Sequence, residues 1–255
     1  MNVALLQINL VWENPAENRK NIRLKINNLP EGIDLIVLPE MFTSGFTMNP
    51  KLVAEPMDGT TINWLKIIAK TNNCAITGSL VIKENDMFYN RMVFVYPNGD
   101  VKKYDKKHLF TLASEDNVYQ AGCEKVIVDY NNFKICLQIC YDLRFPVFSR
   151  NTENYDLLIY VASWPKIRVN AWNSLLQARA IENLCYTIGV NRIGVDGNNL
   201  EYTGQSQVID FLGNYLVAPC EADAFFTTNL LVAPQNEMRK KLNFLNDKDD
   251  FVLKK

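Results

Sequence analysis

Every apolar run in this 255-residue chain is short, and that limits what it can fold into. The longest, "IDLIVLP" and "YDLLIYVASW", have the length of buried strands and fall well below the roughly 20 residues that span a bilayer. "DLIVLPE" is apolar on both faces, as expected of a strand in a sheet covered by helices. The segments between such runs carry helical signals. After the opening strand "VALLQIN", the stretch "NPAENRKNIRLKINNL" has Asn14 as a cap, Pro15 at the first helical position and Glu17 at capping-box spacing. Ile22, Ile26 and Leu29 then recur at helical period. "TTINWLKIIAKTNN" is a second amphipathic helix, and it leads into the strand "CAITGSLVI".

The rhythm then changes. "MFYNRMVFVY", the turn "PNGD" and "VKKYDKKHLF" predict a hairpin, and "VIVDY", "NN" and "FKICLQIC" predict another. Helices return over 146–153 and 170–184, with "YDLLIYVAS" between them and "YTIGVNRIG", "TGQSQVID" and "YLVAP" as later strands. A polar tail from about Pro234 is expected as a helix or an arm. The chain shows no internal repeat and no Gly/Ser-rich linker. One domain over 1–235 is therefore expected, with a tail over 236–255 that packs on it or on a partner. Strand–helix alternation mixed with hairpins gives an α/β protein with mixed sheets, not a purely parallel unit.

A formal charge of −1 with both signs interspersed leaves no electrostatic footprint for nucleic acid or an anionic membrane. The first residues lack the basic region and small-residue cleavage site of a secretory signal. The six cysteines form no C-x-x-C pair, and several lie in strand-like runs, so a disulfide framework is not expected and a cytoplasmic location is. One histidine and scattered carboxylates give no metal-ligand motif, and there is no Gly-rich phosphate loop.

Three strand ends carry ionisable groups. "LIVLPE" ends at Glu40, "VKKYDKKHLF" carries Lys106 and His108, and "ICLQIC" ends at Cys140, so all three could meet at one sheet edge, where open α/β proteins put their crevices. A carboxylate, an amine and a thiol suit acyl transfer: the thiol attacks, the ammonium lowers its pKa and binds the oxyanion, and the carboxylate moves the proton. Each residue also has a plain reading. Cys140 could be a buried hydrophobe, Glu40 a helix-entry carboxylate, and Lys106 part of a solvated charge run. A Cys–His hydrolase would have to use His108, which on a strand shares a face with Lys106.

The spellings "LPEMF", "DKKHLF", "CYDLRFP", "YVASWP" and "QARAIEN", in this order, closely resemble the carbon–nitrogen hydrolase (nitrilase) superfamily over the chain as far as about residue 235. The resemblance implies a four-layer α-β-β-α sandwich with two mixed sheets, a homodimer and no metal or organic cofactor. It also implies Glu40 as base, Lys106 as oxyanion donor, Cys140 as nucleophile and Glu115 as a second glutamate holding Lys106. The Tyr141 backbone N–H would complete the oxyanion hole. Cys136 and the other four cysteines are expected in the core.

Within the superfamily, "CYDLRFPVFSRN" and "YVASWP" are most similar to the bacterial ω-amidases, which hydrolyse the terminal amide of 2-oxoglutaramate or 2-oxosuccinamate. The alternatives are an N-carbamoyl hydrolase, an aliphatic amidase or a nitrilase. A catalytically silent protein of the same fold is also open. For such a small anionic amide, Arg144 is a candidate for the far carboxylate, with an ion pair to Asp142 as its plain alternative, and Phe42 and Trp164 are candidate walls. A thiolate near the surface would be open to peroxide.

Overall fold

A computed structural model describes residues 1–253. Strand β1 (Asn2–Gln7) leads through helix α1 (Pro15–Ile26) to β2 (Leu35–Val37). Helices α2 (Pro50–Val53) and α3 (Thr60–Asn72) precede three consecutive strands, β3 (Ala75–Glu84), β4 (Met87–Val95) and β5 (Val101–Asp105). Next come β6 (Val126–Tyr130) and β7 (Phe133–Ile139), the short helix α4 (Pro146–Ser149) and β8 (Leu157–Ala162). Helix α5 (Val169–Asn183) and β9 (Tyr186–Asn191) follow. A two-stranded ribbon, β10 (Ile193–Val195) with β11 (Glu201–Thr203), is followed by β12 (Gln207–Ile209) and β13 (Tyr215–Val217). Strand β14 (Ala224–Asn229) and helix α6 (Val232–Leu242) close the chain's regular structure.

The strands form two six-stranded sheets, ordered β14-β1-β2-β3-β4-β5 and β13-β12-β9-β8-β7-β6. Each is mixed. In the first, β1, β2 and β3 run parallel, with antiparallel neighbours at both ends; in the second, β7, β8 and β9 do the same. Alternation along the strands shows the layering. Val3, Leu5, Leu35, Val37, Met92 and Phe94 of the first sheet share one core with Ile135, Leu137 and Ile159 of the second. Their neighbours Ala4, Leu6, Ile36, Leu38, Val93 and Val95 face the other way and pack with Ile22 and Ile26 of α1 and Leu65 and Ile68 of α3. Trp172, Leu176 and Ala180 of α5 are buried with the second sheet. The result is the α-β-β-α sandwich.

Local signals explain the helix starts. Asn14 Oδ1 accepts the Glu17 N–H at 3.1 Å, and Pro15 occupies a position whose N–H would have no partner. The Asn131–Asn132 turn between β6 and β7 has both residues at positive φ, the geometry a two-residue hairpin needs.

The structure corrects several expectations. The helix expected over 146–153 is only Pro146–Ser149, because Arg150 turns to an extended conformation. Strand β14 had no counterpart in the sequence reading. It is an edge strand with half-buried side chains, and its partner β1 lies at the opposite end of the chain. Cys74, Cys136 and Cys185 are buried as expected, but Cys123 is exposed and Cys220 partly so. Among the described residues no helix is long and apolar enough to cross a membrane.

Helix α6 runs through the boundary expected at residue 235, and residues 254 and 255 of the tail lie outside the described residues. Buried Gln235 donates to the backbone carbonyls of Asp156 and Leu184. Arg239 donates to Asp156 Oδ1 at 2.7 Å and to the carbonyls of Tyr155 and Leu184. Arg239→Ala would leave a nearly buried Asp156 carboxylate without its cation, so stability should fall by about 3 kcal/mol in denaturant titration. An unchanged midpoint would mean that the helix rests on the sandwich without holding it.

Candidate active site

The carboxyl ends of the parallel strands open at one edge of the sandwich, and the ionisable groups collect there. Glu40, Lys106 and Glu115 are fully buried. Lys106 Nζ lies 2.9 Å from Glu40 Oε1 and 2.9 and 3.1 Å from the two oxygens of Glu115. Asn90 on β4 donates to both carboxylates, at 2.8 Å to Glu40 and 3.1 Å to Glu115. The backbone N–H of Ser163, beyond β8 of the other sheet, donates to Glu40 Oε2 at 2.8 Å. Glu40 is therefore held from both sheets, and Phe46 covers the ammonium with its ring centroid 5.1 Å away.

Cys140 begins a 3-10 turn, Cys140–Arg144, directly after β7, with φ of +45°. A left-handed conformation in a non-glycine residue costs on the order of 1–3 kcal/mol and persists only when its surroundings impose it. Here buried Asp142 imposes it. One of its oxygens accepts the Ile139 N–H at 3.0 Å and the Tyr104 hydroxyl at 2.7 Å; the other accepts the His108 N–H at 2.9 Å. The same carboxylate thus ties the cysteine turn to the segment carrying Lys106. Met41 (φ +44°), next to Glu40, and Ser114 (φ +57°), next to Glu115, are also left-handed. Strained backbone marks all three acidic or thiol positions.

Burial pushes the Cys140 thiol well above its ordinary pKa, and the adjacent Glu40 carboxylate pushes the same way; Lys106 opposes them without prevailing. This runs against the lowered pKa expected from the sequence. Burial pulls the Lys106 ammonium toward neutrality, but Glu115 and Glu40 outweigh this, and its pKa is raised. Burial, with Glu40 adding to it, raises Glu115 despite Lys106.

A cavity of about 620 Å³ opens beside Cys140, and Tyr141, Arg144 and Trp164 line it. The Tyr141 amide lies in the first turn of the 3-10 helix, where N–H groups have no intrahelical acceptor. Phe42 does not line the cavity. It is fully buried among Leu38, Ile62 and Leu80 on the outer face of the first sheet, and Phe46, beyond the Met41 turn, takes the wall instead. Arg144 does not pair with Asp142; among the described residues no carboxylate lies within ion-pair distance, and its guanidinium sits 4.9 Å from the Trp164 ring centroid.

His108 is not part of the cavity either. Strand β5 ends at Asp105, so strand alternation no longer governs Lys106 and His108. The ring stacks on Phe145 at 3.8 Å with Nδ1 on Asp142 at 2.8 Å, which removes the geometry a Cys–His pair requires. Among the described residues no group of three or more histidine, cysteine or carboxylate side chains could hold a metal ion. Sequence reasoning missed Asn90, Ser163, Asp142 in its buried role and Arg168. Only Asn90, a polar residue inside the apolar run "YNRMVFV", left any signal.

Residues 2–233 match the carbon–nitrogen hydrolase family model. The chain is 41% identical over 257 residues to the omega-amidase YafV of Escherichia coli (strain K12), covering 99% of this chain and 98% of that protein. It is 32% identical over 250 residues to a 2-oxoglutaramate amidase of Bacillus subtilis (strain 168), covering 96% of each. The crystal structure of XC1258 from Xanthomonas campestris, a CN-hydrolase superfamily protein with an arsenic adduct in its active site, is 42% identical. It superposes with a TM-score of 0.97 over 100% of this chain and 99% of that one.

The thiol's environment makes a prediction with opposite signs for two assays. Replacing Glu40 by Gln removes a charge that raises the Cys140 pKa, so at a fixed pH between 7 and 8 the thiolate fraction grows. Alkylation of Cys140 by iodoacetamide, followed by mass spectrometry, should be faster in Glu40→Gln than in the parent, while amide hydrolysis falls by roughly 10²-fold or more. Slower alkylation in the variant would show that Glu40 acts on the resting thiol as a base, not as a repelling charge.

Proposed function

This chain belongs to the carbon–nitrogen hydrolase family, and from that premise we propose that it is an ω-amidase, hydrolysing the terminal amide of 2-oxoglutaramate or 2-oxosuccinamate to the 2-oxo acid and ammonia. The observation that carries the reading is a buried carboxylate beside the thiol that shares its ammonium with a second carboxylate, at a cavity lined by Cys140 and Arg144.

In this mechanism Cys140 Sγ attacks the amide carbon as its proton passes to Glu40. Negative charge moves onto the carbonyl oxygen. Lys106 can give one proton to Glu40 and share one across Glu115, which leaves a third N–H for that oxygen, with the Tyr141 N–H as second donor. The carbon–nitrogen bond breaks as Glu40 returns the proton to the departing nitrogen, and ammonia leaves a thioester on Cys140. Glu40 then takes a proton from water, which attacks the thioester; the acid departs and the proton returns to sulfur. Glu115 holds Lys106 in place. Arg144 is offered to the substrate's far carboxylate, with Trp164 fixing its plane.

We also propose a homodimer. Ile181 on α5 packs by Gly213, and exposed Leu212, Tyr215 and Leu216 continue the apolar surface along edge strand β13. Sedimentation should give twice the 29.3 kDa chain mass, and a monomer at micromolar concentration would refute the pairing. The free state of all six cysteines fits a reducing compartment, which supports the cytoplasm.

Ammonia release tests the activity. It should be fast from 2-oxoglutaramate, slow from glutamine, an N-carbamoyl amine and a nitrile, and abolished by Cys140→Ala. Lys106→Met should lower kcat by about 10²–10³ or more, the range for loss of one oxyanion donor. Preference for a nitrile or carbamoyl compound would overturn the substrate and keep the chemistry.

A further inference from the structure

Two arginines line the cavity beside Cys140, Arg144 and Arg168. Among the described residues neither guanidinium has a carboxylate within ion-pair distance, whereas Arg19, Arg91, Arg179 and Arg239 are all paired. Each is instead held against an aromatic ring: Arg144 at 4.9 Å from the Trp164 centroid, Arg168 at 5.2 Å from Phe110. Such contacts position a guanidinium and leave N–H groups free to bind an anion. The backbone of Arg168 is tied at both ends. Its N–H donates to the Pro165 carbonyl at 2.9 Å, and its carbonyl accepts Trp164 Nε1–H at 2.8 Å. Trp164 therefore supports both arginines, one through its ring face and the other through its indole N–H.

The acids on the cavity wall are already engaged. Asp196 accepts the Asn198 and Leu200 N–H groups and the Tyr202 hydroxyl, and Glu13 accepts the Thr47 hydroxyl at 2.5 Å. Those carboxylates are held by neutral donors and keep their charge, so the wall carries both signs, and Arg144 and Arg168 are the cations on it with no carboxylate partner.

We propose that Arg168 is a specificity-determining residue, forming with Arg144 a two-guanidinium clamp for the carboxylate end of an ω-amide whose other end is the amide attacked by Cys140. The inference rests on the amidase reading above and adds the basis of its selectivity. A 2-oxo acid presents only acceptors, a carboxylate and a carbonyl oxygen, to a clamp made only of donors. An α-amino acid of the same length presents an ammonium to the same two cations, and that repulsion sets glutamine apart from its 2-oxo counterpart.

The test compares succinamate with its uncharged methyl ester in the parent enzyme and in Arg168→Gln and Arg168→Lys. The two compounds share the scissile amide and differ in the charge at the far end. In Arg168→Gln the ratio of kcat/KM for succinamate to that for the ester should fall about 10- to 100-fold, the range for a hydrogen bond to a charged group, and mainly through KM. Arg168→Lys should recover part of the ratio, since it restores charge without the planar fork. A misfolded or merely loosened site would depress both compounds together and leave the ratio where it was. An unchanged ratio in a variant that still turns over both compounds overturns the clamp and leaves the amidase reading intact. Parent enzyme that releases ammonia from neither succinamate nor 2-oxoglutaramate would overturn both.

Discussion

The site depends on one buried ammonium. Lys106 has no access to water, and its charge is tolerable only because Glu40 and Glu115 lie within 2.9 Å of it. Burying an ion pair gains little against an apolar alternative, and removing one partner costs on the order of 3–5 kcal/mol because the other charge stays buried alone. The cluster is therefore an arrangement that apolar core forces must hold together. The sandwich supplies them. Glu40, Asn90 and Lys106 come from the first sheet, while Ser163 and Cys140 come from the second. Only when the inner faces pack does Glu40 gain its third donor and the thiol its base. Folding and assembly of the site are one event.

The same packing holds the strain. Met41, Ser114 and Cys140 adopt a backbone geometry that glycine would take freely, yet none is glycine. At Cys140 the proposed mechanism supplies the reason, since it makes the side chain the nucleophile. Asp142 offsets the strain there by accepting the Ile139 N–H just before the turn and the His108 N–H from the segment after β5, with Tyr104 buttressing it from β5. An aspartate that looks solvent-seeking in "CYDLRF" is thus a buried strut between the two catalytic segments.

That reversal shows where sequence reasoning stops. Strand and helix periods, the Asn14–Pro15 cap and the strand-end placement of Glu40 and Cys140 were legible because each follows from neighbours along the chain. Lys106 was a candidate from the same strand-end argument, and the family spellings added Glu115. What stayed hidden depends on turns and on contacts across the sandwich. Phe42 and Phe46 look alike in the sequence, but the left-handed Met41 between Glu40 and Phe46 sends one into the core and the other to the cavity. His108 was placed by assuming that β5 continues, and its end at Asp105 frees the ring to swing onto Phe145. Strand β14 and Arg168 are known only by their partners, β1 and Phe110, far away in sequence.

The raised thiol pKa and the two guanidiniums on the cavity wall bear on the same electrostatic problem. Two carboxylates already share one ammonium at the base of the cavity, so a resting thiolate would add a third anionic centre beside them. An anionic substrate would then meet repulsion at the point where its amide must come within bonding distance of sulfur. Keeping the proton on Cys140 until attack avoids this, because charge appears on sulfur only as Glu40 loses its own. In the proposed clamp the guanidiniums of Arg144 and Arg168 would attract the end of the substrate that does not react. On that proposal the two guanidiniums meet the far end of the substrate, while Glu40 and Glu115 lie beneath the thiol. A monoamide of a dicarboxylic acid, neutral at one end and anionic at the other, matches that polarity in one orientation only.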